Sequence, residues 1–252
     1  MPILKLTFVR HALPAKILGS NGIVGVSVAQ QFLEAGARVV LVAQTEEQLK
    51  ALVHRFEPHK RQLVGIVGGF TSRAQVEEVR SVLMAALNGN TIDHVVSAIG
   101  QVDLTPEGIS AGDAVNALKA CLEESLYPTI VCAQVFLPDL RDKDGSTYTI
   151  VCSGFAHKCY YPNAWVGTVK NAAMTGVIES LACDFANAKV RINGNCLHYG
   201  ISFPGHDSMS SPHAAPDNSF AQTFLKIVKK KDVRGCIICH DSKLDTERFL
   251  QA

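Results

Sequence analysis

The chain has 252 residues, 47% of them hydrophobic and 19% charged, with a formal charge of +1. That length suits one large α/β domain or two small ones with a substantial core, and the near-neutral balance excludes the electrostatic footprint of nucleic-acid binding or of a polybasic membrane contact. Small-molecule chemistry is the expectation, with no nucleic-acid and no membrane partner.

The first eighteen residues are apolar but interrupted by Lys5, Arg10, His11 and Pro14, which fits neither a signal peptide nor a membrane span, so a reducing, cytoplasmic setting is expected. Six of the eight cysteines (Cys121, Cys132, Cys152, Cys183, Cys196 and Cys236) lie in apolar stretches, where a thiol behaves as a small hydrophobe, and no disulfide is expected.

Leu4 to Val9 reads as a short strand followed by Arg10-His11-Ala12, an N-terminal extension leading into Ala15 to Leu18. The organising stretch comes next. Gly19, Gly22 and Gly25 follow an apolar run and precede an amphipathic segment, Val26 to Ala35, that ends at Gly36. Strand, glycine-rich turn and helix form a dinucleotide-binding unit. Glycine permits the tight turn and the close approach of backbone to pyrophosphate, and the helix N-terminus faces the phosphate charge. A second strand, Arg38 to Val42, completes the start of a βαβ unit.

Thr45 to Arg55 is a helix candidate and Gln62 to Val67 a third strand. Ser72 caps a helix to about Leu87, with Val76, Val79, Val82, Leu83 and Leu87 at helical spacing, and Asn88-Gly89-Asn90 ends it. His94 to Ala98 is a fourth strand closed by Gly100. Pro106 to Arg141 reads mostly as helix, strongest from Ala114 to Leu140, with Pro128 expected to kink or break it.

Tyr148 to Cys152, a helix from Trp165 to Phe185 and the strand Val190 to Cys196 follow. The segment 198–218, rich in Ser, Pro, Gly and His, is a possible substrate lid. Phe220 to Val228 is a short helix and Gly235 to Cys239 the last strand. Alternating, near-continuously apolar strands and helices predict one α/β domain spanning 1–252: a Rossmann-type, doubly wound parallel sheet in three α/β/α layers.

At the end of the second strand stand Ala43, Gln44 and Thr45. A carboxylate there would accept the ribose 2′-hydroxyl and repel a 2′-phosphate; without one, NADP is favoured and NAD is second, with Gln44 and Thr45 as donors to the phosphate. The alternative is that Gln44 and Thr45 only cap the next helix.

The residues Gly19-Ser20-Asn21-Gly22-Ile23-Val24-Gly25, Glu34-Ala35-Gly36-Ala37-Arg38, Ile92 to Gly100, Ile150-Val151-Cys152-Ser153-Gly154, Lys170-Asn171-Ala172-Ala173 and Val190-Arg191-Ile192-Asn193, in that order and spacing, resemble the short-chain dehydrogenase/reductase family over almost the whole chain. The family's Asn-Asn-Ala-Gly after the fourth strand is here Ser97-Ala98-Ile99-Gly100. Its aspartate near the adenine falls at Gly69, and its Pro-Gly after the sixth strand falls on Leu197-His198. The resemblance implies cofactor contacts from Gly19, Ser20, Asn21, Gly22, Ile23, Gln44, Thr45, Ala98, Gly100 and Lys170.

The family's hydride transfer uses a Ser, a Tyr thirteen residues on and a Lys four after that; the Tyr moves the proton, the Lys lowers its pKa and holds the nicotinamide ribose, and the Ser positions the carbonyl. Ser153 and Lys170 match this spacing, and the Tyr position is Val166. The family's upstream Asn falls at Ser125. Tyr160 and Tyr161, in the loop before the helix, are either pocket walls or a substitute acid.

The stretch Ser153-Gly154-Phe155-Ala156-His157-Lys158, with Pro162 and Trp165, is similar to a fungal and bacterial branch of NADP-binding secondary-metabolite proteins in which that Tyr is also replaced. The branch includes reductase/Diels–Alderases whose cyclisation site uses an Arg and an Asp. No such Arg stands near Ser125 and no such Asp near Val166, so that activity is not implied.

Cys236-Ile237-Ile238-Cys239-His240 matches a haem-attachment spacing, but it falls on the last buried strand and no metal site is expected from it. His198 and His206 follow the sixth strand at the edge where ligands bind, with His198 a candidate proton donor.

The expectation is an NADP(H)-dependent enzyme of biosynthetic metabolism acting on a carbonyl, imine or iminium of a small molecule. A non-redox cyclase or isomerase and a catalytically silent binding protein are the alternatives. The resemblance implies a homodimer or homotetramer built on the long helices flanking the fifth strand.

Overall fold

The computed structural model describes residues 14–18, 22–89, 91–100, 108–110, 112–159, 163–198, 201–202, 215–216 and 219–252. The elements run β1 (Pro14–Leu18), α1 (Ile23–Glu34), β2 (Arg38–Ala43), α2 (Glu46–Arg55), β3 (Leu63–Val67), α3 (Arg73–Leu87), β4 (His94–Ser97), α4 (Ala114–Cys121), α5 (Tyr127–Leu140), β5 (Thr147–Ser153), α6 (Trp165–Asp184), β6 (Arg191–Leu197), β7 (Ile201–Ser202), β8 (Ala215–Pro216), α7 (Ser219–Lys229), β9 (Ile237–His240) and α8 (Lys243–Gln251). Leu4 to Val9 and Arg10-His11 lie outside the described residues.

Seven strands form one parallel sheet in the order β3-β2-β1-β4-β5-β6-β9, and β7 pairs with β8 in a separate two-residue ladder. The order reverses between β1 and β4, which creates the crevice in which open α/β sheets bind ligands. Strand alternation sorts the core into two faces. Val39, Leu41 and Ala43 of β2 pack with Val28 and Phe32 of α1, Leu52 of α2 and Phe220 and Phe224 of α7. Val40 and Val42 face the opposite layer, with Val76 and Val79 of α3, Cys132 and Phe136 of α5, and Met174 and Ile178 of α6. This is the expected doubly wound, three-layer single domain. Full burial of a side chain such as Phe32 or Phe136 contributes about 2–3 kcal/mol.

Local chemistry sets the element ends. Thr45 and Ser72 cap α2 and α3 through their hydroxyls, which accept from Gln48 N and Gln75 N. Asn88, with φ 49°, and Gly89, with φ 84°, take the left-handed turn that stops α3. Arg191 is the anchor of the C-terminal quarter. Buried at the start of β6, its guanidinium donates to the carbonyls of Ile227, Val228, Lys230 and Val233, at and beyond the end of α7.

Three expectations need correction. The helix expected from 106 does not include 108–110 or 112–113, where 109–110 and 112–113 are turns, and it begins at Ala114; Pro106 itself lies outside the described residues. Pro128 does not break the helix, since helical turns continue from Ala114 to Leu140. A π turn over Leu122–Leu126 precedes it, in which Tyr127 N–H donates to Leu122 O. Pro128 lacks an N–H and its ring would crowd the carbonyl four residues back; widening the turn by one residue removes that clash, and Pro128 then sits in the first turn of α5, where its missing donor costs nothing. Hydroxyls serve carbonyls at this junction: Ser125 Oγ donates to Cys121 O at 2.6 Å and Thr129 Oγ1 to Ser125 O at 2.9 Å. Finally, the last strand begins at Ile237, so Cys236 precedes it, and a helix not anticipated in the sequence, α8, follows.

Candidate functional site

The crevice is built from strand ends and helix starts. After β1 the chain enters α1 through Gly22, whose backbone is extended (φ −78°, ψ 160°) and which supplies no side-chain cap. The first turn of α1 carries no acid. Neither a side-chain cap from Gly22 nor a first-turn acid therefore offsets the N–H groups and the positive end of the helix dipole. Gly19, Ser20 and Asn21 lie outside the described residues, as does the side chain of Ile23.

At the end of β2, Gln44 and Thr45 are exposed. Thr45 is the N-cap of α2, and Gln44 N–H donates to Gln48 Oε1 at 3.1 Å, so both take part in starting the helix, as the capping alternative expects.

Beyond β4 the chain passes Ala98, half-buried, to Gly100, whose φ of 141° is one that side chains rarely adopt. A Cβ added at Gly100 would sit 3.5 Å from Ser125 Cβ and 4.0 Å from Lys170 Nζ. Three residues distant in sequence thus meet at one point: Gly100 from the end of β4, Ser125 from the π turn and Lys170 from α6. Lys170 is only 6% exposed, and Val166, one turn before it on the same face, is 1% exposed. Around Lys170 the first half of α6 is tied by Asn171 Nδ2, which donates to Gly167 O at 2.8 Å.

Ser153 is the last residue of β5, half-buried, and its hydroxyl accepts from Phe155 N–H at 3.5 Å at the start of a 3₁₀ turn over Gly154–Ala156. Tyr160, Tyr161, Pro162 and His206 lie outside the described residues. Gly69, at the adenine aspartate's position, lies against Gln75: an added Cβ would be 2.7 Å from its Oε1.

His198 stands just past β6, in contact with Gly154, where an added Cβ would lie 2.8 Å from His198 Cα and 2.7 Å from its Cγ. Its Nδ1 is 2.5 Å from Asp241 Oδ1, and its Nε2 is buried without a hydrogen-bond partner. Here the structure adds a group that the sequence reading missed. His157, Cys196, His198 and Cys239 bring four nitrogen and sulfur atoms within 4.8 Å of one another, whereas the sequence suggested no metal-ligating set. Cys239 does take part, not with Cys236 but with residues from two other strand ends. The partial signals are Cys196-x-His198 and Cys239-His240-Asp241, each short and uninformative alone; only the in-register pairing of Cys196 with Cys239 joins them. All eight cysteines are thiols. A hydrogen bond with Cys152 and then burial push the Cys196 thiol up, and burial followed by the neighbouring Cys196 pushes Cys239 up to about 11.

The strand order and crevice have many counterparts among solved proteins. A 7α-hydroxysteroid dehydrogenase complexed with NADH and 7-oxo glycochenodeoxycholic acid superposes with a TM-score of 0.78 at 17% identity, covering 92% of this chain and 95% of that one. A blue fluorescent protein from a metagenomic library, in complex with NADPH, does so with a TM-score of 0.74 at 17% identity over 90% and 96% of the two chains. In sequence, dehydrogenase/reductase SDR family member 4 of Sus scrofa is 24% identical over 187 residues, 74% of this chain and 64% of that relative's length. No helix among the described residues is long and apolar enough to cross a membrane. The family model described as short chain dehydrogenase matches residues 15–200, about three quarters of the sequence, and the chain therefore belongs to the short-chain dehydrogenase/reductase family of oxidoreductases.

Proposed function

We propose that the protein binds NADP(H) and reduces or oxidises a small-molecule carbonyl, imine or iminium in a biosynthetic, secondary-metabolite pathway. The observation that carries the reading is the convergence of Lys170 with Gly100 beside a buried valine. The residues fit a dinucleotide: the uncapped, acid-free start of α1 for the pyrophosphate, the side-chain-free backbone at Gly100 for the nicotinamide half, and Lys170 for its ribose. Gly19, Ser20, Asn21, Gly22, Ile23 and Ala98 complete the proposed contact set. The absence of a carboxylate at Ala43, Gln44 and Thr45 favours NADP over NAD, with Gln44 and Thr45 donating to the 2′-phosphate. Two family-fold neighbours carry NADPH and NADH respectively, so the fold accepts both.

When bound, the cofactor supplies or accepts a hydride. Lys170 would hold its nicotinamide ribose and so orient it. Ser153, at the end of β5, positions the substrate through its hydroxyl. Val166 stands where the family carries its proton-donating Tyr, and a valine moves no proton. Its methyl groups shield the start of α6 instead, and an iminium carbon, which needs no proton delivered to oxygen, is the substrate this arrangement suits best. The segment 198–218 is proposed as the substrate lid. Exposed Val115, Tyr127 and Val169 on α4, α5 and α6 support a dimer or tetramer through those helices. The thiol state of the cysteines and the near-neutral charge fit a cytoplasmic enzyme with no membrane or nucleic-acid partner.

The test is calorimetric titration with NADPH and NADH, followed by NADPH absorbance in the presence of cyclic imines and ketones. Tighter binding of NADPH and consumption with an imine are expected. Turnover of substrate with no change in NADPH would replace the redox reading with a cyclase or isomerase, and no binding of either nucleotide would reduce the protein to a silent member of its fold.

A further inference from the structure

Four residues outside the proposed cofactor contacts converge at the carboxyl ends of three neighbouring strands. His157 follows the 3₁₀ turn after β5, Cys196 and His198 close β6, and Cys239 lies in β9 directly opposite Cys196 in the parallel ladder. Cys196 and His198 are two apart along an extended chain and so share a face. Their ligating atoms and those of His157 and Cys239 lie within 4.8 Å of one another.

We propose that His157, Cys196, His198 and Cys239 form a tetrahedral Cys₂His₂ site for a zinc-class divalent ion. The chemistry of the set is specific. Two thiolates and two neutral imidazoles are the borderline-soft donors that zinc takes in closed structural sites, and together they cancel the ion's two charges, which suits a half-buried position. At Zn–S and Zn–N distances of about 2.3 and 2.0–2.1 Å, neighbouring ligand atoms of a tetrahedron are about 3.3–3.8 Å apart, so the four atoms need to close by roughly an ångström.

Asp241 Oδ1 lies 2.5 Å from His198 Nδ1, the carboxylate–histidine arrangement that fixes a ligating imidazole. That leaves Nε2 as the coordinating nitrogen, and Nε2 is a buried atom with no hydrogen-bond partner. Gly154 makes the approach possible, since any side chain there would collide with His198.

The ion fills all four coordination positions with protein and so acts structurally, clamping the turn that follows Ser153 to the ends of β6 and β9. On binding, each thiol releases its proton and forms a metal–sulfur bond, with no change of oxidation state. The inference is independent of the cofactor reading, because its readout is the bound metal itself.

The experiment uses the full chain, stripped with a chelator under reductant and titrated with Co(II), then with Zn(II). One equivalent of Co(II) should give the visible absorption of a tetrahedral ion with near-ultraviolet thiolate-to-cobalt charge transfer, both erased by Zn(II). Cys239→Ser should remove about half of the charge transfer and weaken binding at least tenfold. His157→Ala should weaken it comparably while keeping both thiolate bands. Both side chains are exposed, and circular dichroism checks that the variants fold. Cys159→Ser, at an exposed thiol nearby in sequence, should change nothing. The absence of tetrahedral cobalt spectra in the wild-type chain, or spectra unaltered in Cys239→Ser and His157→Ala, would overturn the assignment.

Discussion

Replacing Arg191 tests whether one side chain holds the C-terminal quarter to the sheet. The guanidinium is 5% exposed and donates at 2.8–3.0 Å to four backbone carbonyls: Ile227 and Val228 in the last turn of α7, Lys230 just after it, and Val233 in the following turn. Lys230 O also accepts from Val233 N–H at 3.1 Å, whereas Ile227 and Val228 end the helix, where carbonyls lack helical donors. Hydrogen bonds to a charged donor contribute about 1.5–3 kcal/mol each, but four to one group are not additive, and the outer carbonyls regain water when the donor is lost. Arg191→Met keeps the volume and strands the carbonyls; the expected loss is about 3–5 kcal/mol, a large part of a typical domain's stability. Arg191→Lys retains a charge but not the planar fork and reaches fewer carbonyls, so about 2 kcal/mol is expected. Urea denaturation gives the two losses, and amide exchange over 219–233 locates them. If Arg191→Met cost less than about 1 kcal/mol and left exchange in α7 unchanged, the anchoring role would be refuted.

His94 makes stability fall in acid. Its ring is buried with Nδ1 3.0 Å from Thr147 Oγ1, and burial first, then the charges of Arg191 and Lys143, hold its pKa down at about 4 against an ordinary 6.5. A lowered folded-state value means that stability is full above pH 6.5 and declines as pH falls through 4, by about 3 kcal/mol; His94→Gln should flatten that limb in pH-dependent urea titrations, and an unchanged limb would sink the assignment. Gly154→Ala should cost about 1–3 kcal/mol of stability, because the new methyl meets His198 Cα and not only its movable ring, and a thermal midpoint equal to wild type would show that β6 yields freely. Lys170→Ala should weaken NADPH binding at least tenfold by calorimetry, with unchanged affinity removing Lys170 from the cofactor site. Thr45→Ala should lose about 1 kcal/mol from its cap to Gln48 N; if Thr45 also meets a 2′-phosphate, NADPH affinity falls while NADH affinity does not.

The fold was legible because its strands are continuous apolar runs and its helices keep a 3.6-residue apolar stripe, as in Val76, Val79, Leu83 and Leu87, all buried. Helix α8 was not: over Lys243–Gln251 only Thr246 is buried, so the segment carries almost no apolar stripe to read. Pro128 misled for a different reason, since its effect depends on whether the preceding turn can widen, a property of the backbone rather than of the residue. At the site, Lys170 and Gly100 stood out through spacing, whereas Ser125 came beside them only through the π turn. The four-residue cluster of His157, Cys196, His198 and Cys239 was invisible for want of any local motif. Its members come from three strand ends, and it exists because parallel pairing sets Cys196 opposite Cys239.

The π turn before Pro128 also governs how this chain is to be matched to its relatives. One additional residue in a helix rotates everything on one side of it by about 100° relative to the other. Against a relative with a plain α-helix here, which would have one residue fewer between the same two faces, a counting alignment carried through Leu122–Leu126 arrives one place out of phase. The counterpart of Ser125 in another chain is the residue whose Cβ stands against the glycine after β4, 3.5 Å from where a Gly100 side chain would begin, whatever number it bears. In this stretch homology is defined by position in space, and gaps in a family alignment belong inside the turn.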